Sequence, residues 1–96
     1  VKWVHITFRQ EFSEAVGYIL ERHGIRDYVL YPMVQGRDAD GKHEGGKIFP
    51  GSMAVVQALV EDDETEIFME ELLSFRDEKP SHGHLRAVVV GVEKSL

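Results

Sequence analysis

Val4, Ile6 and Phe8 alternate with Trp3, His5 and Thr7 at the start of the chain, and a period of two predicts a strand. The period then lengthens. Phe12, Ala15, Val16, Ile19 and Leu20 fall on one face of a helix over about Glu11–His23. Gly24 follows Arg22-His23, a stop in which glycine takes positive φ and the basic side chains face the negative end of the helix dipole. Tyr28–Val34 is apolar on both alternations and predicts a second strand. Pro32 has no N–H to give to a ladder, which places that end at a sheet edge or a bulge. Residues 36–51 break the pattern with five Gly, one Pro and seven charged or His residues, and predict a long loop or a hairpin extension. Ser52–Val60 predicts a third strand. The acidic run Glu61–Glu66 reads as a helix N-terminus, where carboxylates meet the positive end of the dipole, and not as a metal cluster. Asp63 and Glu66 have capping-box spacing. Phe68, Met69, Leu72, Leu73 and Phe75 supply the apolar stripe, and Pro80 ends the helix. Leu85–Val92 predicts a fourth strand.

The order is therefore β-α-β-β-α-β over a single domain of residues 1–96. This is the ferredoxin-like arrangement of the α+β class: a four-stranded antiparallel sheet with two helices on one face, here with a long loop between the second and third strands. The helices cover one face, yet the other face is not polar. Val88, Val90 and Val92 oppose Leu85, Ala87 and Val89 on the fourth strand, and Met53, Val55 and Leu59 oppose Ala54, Val56, Ala58 and Val60 on the third. A solvated face reads polar at alternate positions. The second face is therefore expected to pack against further copies of the chain.

Composition narrows the function classes. Eleven Lys+Arg against 17 Asp+Glu give a net charge of −6, which argues against the Lys- and Arg-driven binding of nucleic acid. The first and third strands also lack the stacked aromatics of RRM-type RNA binding. The absence of Cys rules out a disulfide scaffold, a Cys–zinc site and a Cys nucleophile. No apolar run approaches the roughly 20 residues of a membrane span, and no signal peptide is visible. A cytoplasmic protein with no membrane insertion is expected.

Candidate chemistry concentrates in two places. In residues 36–51 the glycines free the backbone to approach a ligand, and Arg37, Lys42 and Lys47 bring positive charge for an anion. Gly36 with Gly41-Lys42, and Gly41 with Gly46-Lys47, have phosphate-loop spacing, but His43 and Ile48 stand where Ser or Thr is required and the segment leads towards a strand. Asp38-Ala39-Asp40-Gly41 lacks the remaining ligands of a calcium loop and reads as a turn. The second place is His82-Gly83-His84. Two His at i and i+2 point the same way in an extended segment, and with His43 or Glu44 they form a candidate site for a divalent metal. The serines have no nucleophile elbow around them, and no enzyme is expected.

With these residues in view, the chain resembles the PII-like superfamily of small trimeric regulatory proteins. The resemblance spans nearly the whole length through the element order, the long loop between strands two and three, and the turn before strand four. Val34-Gln35-Gly36-Arg37 is similar to the Gly-Arg-Gln segment that opens the family's T-loop. Ser81-His82-Gly83-His84-Leu85 occupies the place of its Gly-Asp-Gly-Lys-Ile turn, the B-loop. The resemblance implies a homotrimer that binds an adenine nucleotide or another small anionic effector in clefts between subunits. The ligand-binding residues it implies are Gly36, Arg37, Lys42, Lys47, Ser81, His82, Gly83 and His84, with the 36–51 loop docking on a membrane transporter or an enzyme.

The chain also departs from the family. Asp38 replaces the Gln of Gly-Arg-Gln, His84 replaces the Lys that neutralises phosphate, and one of the paired B-loop glycines is missing. Glu93-Lys94-Ser95-Leu96 lacks the basic C-terminal segment, and no Tyr or Ser for modification lies between Gly36 and Gly51. A divergent PII-like regulator is expected, not a classical nitrogen sensor. Two rivals are a CutA-like trimer binding a divalent metal through His43, His82 and His84, and a small ferredoxin-like enzyme with its site on the sheet face. The CutA Trp-rich second strand is absent here.

Overall fold

In a computed structural model of the chain, residues 1–38, 41–43 and 52–96 are described, 38 and 41–43 by their backbone only. Lys47 lies outside the described residues, as do the side chains of Lys42 and His43. The elements in order are β1 (Lys2–Arg9), α1 (Ser13–Arg22), β2 (Tyr28–Val34), β3 (Gly36–Asp38), β4 (Gly41–His43), β5 (Met53–Val60), α2 (Asp62–Glu78) and β6 (Arg86–Gly91). Four strands form an antiparallel sheet in the order β2-β5-β1-β6. The expected α+β ferredoxin-like architecture is observed. β3 and β4 form a separate two-stranded ribbon, so the described part of the 36–51 segment is a hairpin extension.

The alternation in β1 and β5 sorts their side chains between two environments. Val4, Ile6 and Phe8 of β1 and Ala54, Val56, Ala58 and Val60 of β5 are buried in one core with Val16, Ile19 and Leu20 of α1 and Phe68 and Leu72 of α2. Small and branched side chains alternate along the β5 half of this face, and fully burying one such large side chain contributes about 1.5–3 kcal/mol. The opposite face carries Trp3, His5 and Thr7 with Val55, Gln57 and Leu59, all only half-buried. On the edge strands it is more open still, with Val29 at 53%, Val88 at 57% and Val90 at 47% exposure.

Local chemistry sets the element ends. α1 begins two residues later than its periodicity suggests, because Gln10–Phe12 forms a 3-10 turn in which the Ser13 hydroxyl donates to the Gln10 carbonyl at 2.8 Å. Gly24 ends α1 at φ +68°, the left-handed conformation expected there. The capping box expected from Asp63 and Glu66 does not form. α2 is capped at Glu61, which makes no side-chain cap bond. Instead its carbonyl accepts from the Thr65 hydroxyl at 2.8 Å and the Thr65 N–H at 3.1 Å. Asp62, Asp63 and Glu64 occupy the first turn, where their charges meet the positive end of the dipole. Pro32 proves to lie at both an edge and a bulge. β2 is an outer strand, and its pairing with β5 slips between Tyr31 and Val34 around Met33 at φ +56°.

His23, expected to serve only as a helix-end cation, ties the two helices together. Its Nε2 donates to Glu71 of α2, and Arg22 donates to the same carboxylate oxygen. Burial would raise the Glu71 carboxyl, but the hydrogen bonds and charges of Arg22 and His23 outweigh it and hold the group below the usual glutamate range. A lowered folded-state value means stability that is present at neutral pH and lost as pH falls through that lowered value. Glu71→Gln is therefore expected to cost about 1 kcal/mol at pH 7 and less near pH 3. Urea midpoints measured at both pH values check this, and an equal loss at both would remove the ionic explanation.

Candidate functional site

Strand register brings the two sequence-marked segments to one end of the open face. β1 pairs with both neighbours there: Thr7 lies opposite Val55 of β5 and Arg86 of β6, and Arg9 lies opposite Met53. Val34, past the β2 bulge, also lies opposite Met53. The C-terminal ends of β1 and β2 thus meet the N-terminal ends of β5 and β6. The ribbon begins at this end, and the turn after α2 finishes here.

The result is a cavity of about 170 Å³ on the open face. Val34, Met53 and Val55 form its apolar floor; Thr7, Gln35 and Gly36 add polar and backbone groups; Arg37, His84 and Arg86 bring cationic or ionisable side chains. Gly36, Arg37 and His84 were expected at a ligand site, and the structure brings them together. Sequence reading missed Thr7 and Arg86. The signal for Arg86 was present: it shares the alternation of Val88 and Val90, an arginine on an otherwise apolar strand face. Larger concavities lie elsewhere, such as the 310 Å³ groove between α2 and β6. That groove is lined by Met69, Leu72, Leu73, Leu85 and Ala87 with Glu66, Glu70 and Arg76, and the two carboxylates there outnumber the cation, so it offers an anion little.

The remaining expected residues are placed differently. Ser81 is exposed and does not line the cavity. Gly83 is exposed in the turn, where an added Cβ would stand 3.1 Å from the Pro80 carbonyl oxygen, so glycine here serves the turn. His82 requires a correction. The segment is not extended: Pro80–His82 is a 3-10 turn, which removes the premise that His82 and His84 point the same way. His82 is 6% exposed, on the helix side. Its ring stacks on Phe75 at 4.0 Å and meets Phe12 edge-on at 4.7 Å. Its Nδ1 donates to the Phe75 carbonyl at 2.6 Å, which fixes the tautomer because that oxygen only accepts. His84 alone of the pair faces the cavity. Among the described residues, no three His, Cys, Asp or Glu side chains gather as metal ligands.

No family model matches the chain, and no curated protein matches it. Solved structures do. CPII of Thiomonas intermedia K12, a nitrogen regulatory PII-like protein bound to ADP, AMP and bicarbonate, superposes with a TM-score of 0.71 at 19% identity, over 95% of this chain and 88% of that one. The fold is that of the PII-like proteins. The apo form of CPII gives a TM-score of 0.65 at 16% identity over 95% of this chain and 91% of that one. A protein of Thermus thermophilus designated PII-like and signalling gives 0.65 at 16% identity over 93% of this chain and 82% of that one. The PII-like fold accounts for the element order and the position of the ribbon. In this chain the ribbon's first residues and the turn before the last strand share one cavity, and no described helix is long and apolar enough to cross a membrane.

Proposed function

We propose that this chain is a divergent PII-like regulator whose copies assemble, as a trimer, on the open sheet face and bind an anionic effector between them. The observation that carries the reading is the convergence of Gly36-Arg37 with His84 in one cavity at the edge of an uncovered apolar face. At about 170 Å³ the cavity is smaller than the roughly 300–1,000 Å³ of sites that enclose a whole ligand. One chain therefore supplies half of a cleft, and a neighbouring copy supplies the rest. An adenine nucleotide is the favoured effector, supported by the ADP and AMP bound to CPII. The adenine would lie towards the apolar floor and the phosphates towards Arg37 and His84, where charge-assisted hydrogen bonds are strongest.

On this reading the 36–51 segment relays the bound state to a partner protein, a transporter or an enzyme, in the cytoplasm. The chain's own work is binding. Calorimetric titration with ATP, ADP, AMP and cyclic nucleotides tests it. At least one is expected to bind, and Arg37→Ala to weaken that binding by about tenfold or more, since a hydrogen bond to a charged group is worth about 1.5–3 kcal/mol. Silence for all of them at millimolar concentration would retire the nucleotide reading.

A further inference from the structure

Resting on the reading of this cavity as an effector site, we propose that Arg86 makes it select ligands by charge. A group of charge −2 or more negative, such as a phosphate monoester or pyrophosphate, is held; a singly charged carboxylate or bicarbonate is held far less well. Pairing divides the arginines into two groups. Arg9, Arg22 and Arg76 each stand beside a carboxylate, that of Glu11, Glu71 and Asp77 respectively. Among the described residues, Arg26, Arg37 and Arg86 have no such partner, in a chain whose 17 acidic residues outnumber its 11 basic ones. Of these three, Arg37 and Arg86 line the same 170 Å³ cavity.

Two guanidiniums facing one small cavity repel each other. A dianion relieves that repulsion fully, and a monoanion only in part. The floor of Val34, Met53 and Val55 provides no competing charge, and its low polarity strengthens every charge interaction above it. The register fixes where Arg86 stands: β6 pairs with β1 so that Arg86 lies directly opposite Thr7, and both line the cavity. From a sheet strand, Arg86 presents a planar fork that can meet two oxygens of one group. Arg37 reaches the same space from the ribbon, so the two cations approach a ligand from separate elements.

The test uses inorganic pyrophosphate as the probe, with acetate as the monoanion and malonate as a dianion lacking phosphorus. Each is titrated calorimetrically into the wild-type chain, Arg86→Gln and Arg86→Lys. Wild type is expected to bind pyrophosphate and malonate more tightly than acetate. Arg86→Gln should weaken pyrophosphate and malonate by about 10- to 100-fold while acetate changes little, and Arg86→Lys should recover part of the loss because it restores charge without the fork. Arg86 is exposed, so the melting temperatures of the variants are expected to match wild type. Equal losses for acetate and the multiply charged probes, no loss in Arg86→Gln, malonate behaving like acetate, or no pyrophosphate binding by wild type would each overturn the inference. Pyrophosphate binding with the stated Arg86 dependence, but without any nucleotide binding, would support charge selection and retire the nucleotide reading alone.

Discussion

Replacing Val88 and Val90 together with Asp is expected to convert an assembled protein into a folded monomer of 10.9 kDa. The two side chains are 57% and 47% exposed on the open face of β6, so the core beneath the helices does not depend on them. They sit beside Trp3 and His5 of β1, opposite which β6 pairs, on a face with few groups able to neutralise a carboxylate. Association of copies through this face would bury each new charge without a partner. An unpaired buried charge costs about 3–5 kcal/mol, and the cost recurs in every subunit, so the assembly constant should fall by several orders of magnitude. Sedimentation velocity reads the result directly. Wild type is expected at three times the chain mass and the double variant at the chain mass, with far-UV circular dichroism unchanged. A wild-type chain that sediments as a monomer at tens of micromolar would refute the assembly reading without any mutant being needed.

The second large effect separates two histidines that the sequence presents as a pair. His82→Ala is expected to destabilise the fold by about 3 kcal/mol. It removes a buried ring stacked on Phe75 and packed against Phe12, leaving a cavity of the kind that costs about 2–5 kcal/mol. It also leaves the Phe75 carbonyl without the Nδ1 donor it has at 2.6 Å, near the end of α2 where carbonyls already lack helical partners. His84→Ala should do the reverse: little change in the urea midpoint, but weaker binding of an anion at the cavity it lines. Chemical denaturation of both variants, with effector titration of each, checks the pair. If His82→Ala left stability intact and abolished ligand binding, the structural role assigned to His82 would fall.

These two expectations also mark the boundary between what was legible in the sequence and what was not. Periodicity sufficed for the elements because each strand and helix must bury one stripe of its own side chains, and that requirement is written locally. Val4, Ile6 and Phe8 predicted a strand and lie in the core; Pro32 predicted a sheet edge or a bulge because proline has no N–H to give to a ladder, and it lies on an outer strand whose register slips there. The two-sided apolarity of the third and fourth predicted strands was legible for the same reason, as was the family resemblance. The capping box was not, since Asp63 and Glu66 have suitable spacing but the chain starts α2 at Asp62 with Glu61 as its cap. Spacing alone does not say which residue takes the extended backbone conformation at a helix start.

By itself the sequence determined the order of elements, the sheet with two apolar faces and the two segments from which a site could be built. The tertiary structure decided three further things. It put the face with Ala54, Val56, Ala58 and Val60 beneath the helices and left Val88 and Val90 outside, because a strand's alternation defines two faces without saying which is covered. It turned His82 inward and left His84 at the cavity, because a 3-10 turn rotates neighbours that an extended chain would align. And it set Arg86 in the same cavity as Arg37, across 49 positions of sequence, because antiparallel pairing fixes which strand ends meet. Side-chain stripes are a local property of the chain, whereas the assembly of a charged site depends on register, and register exists only once the strands are paired.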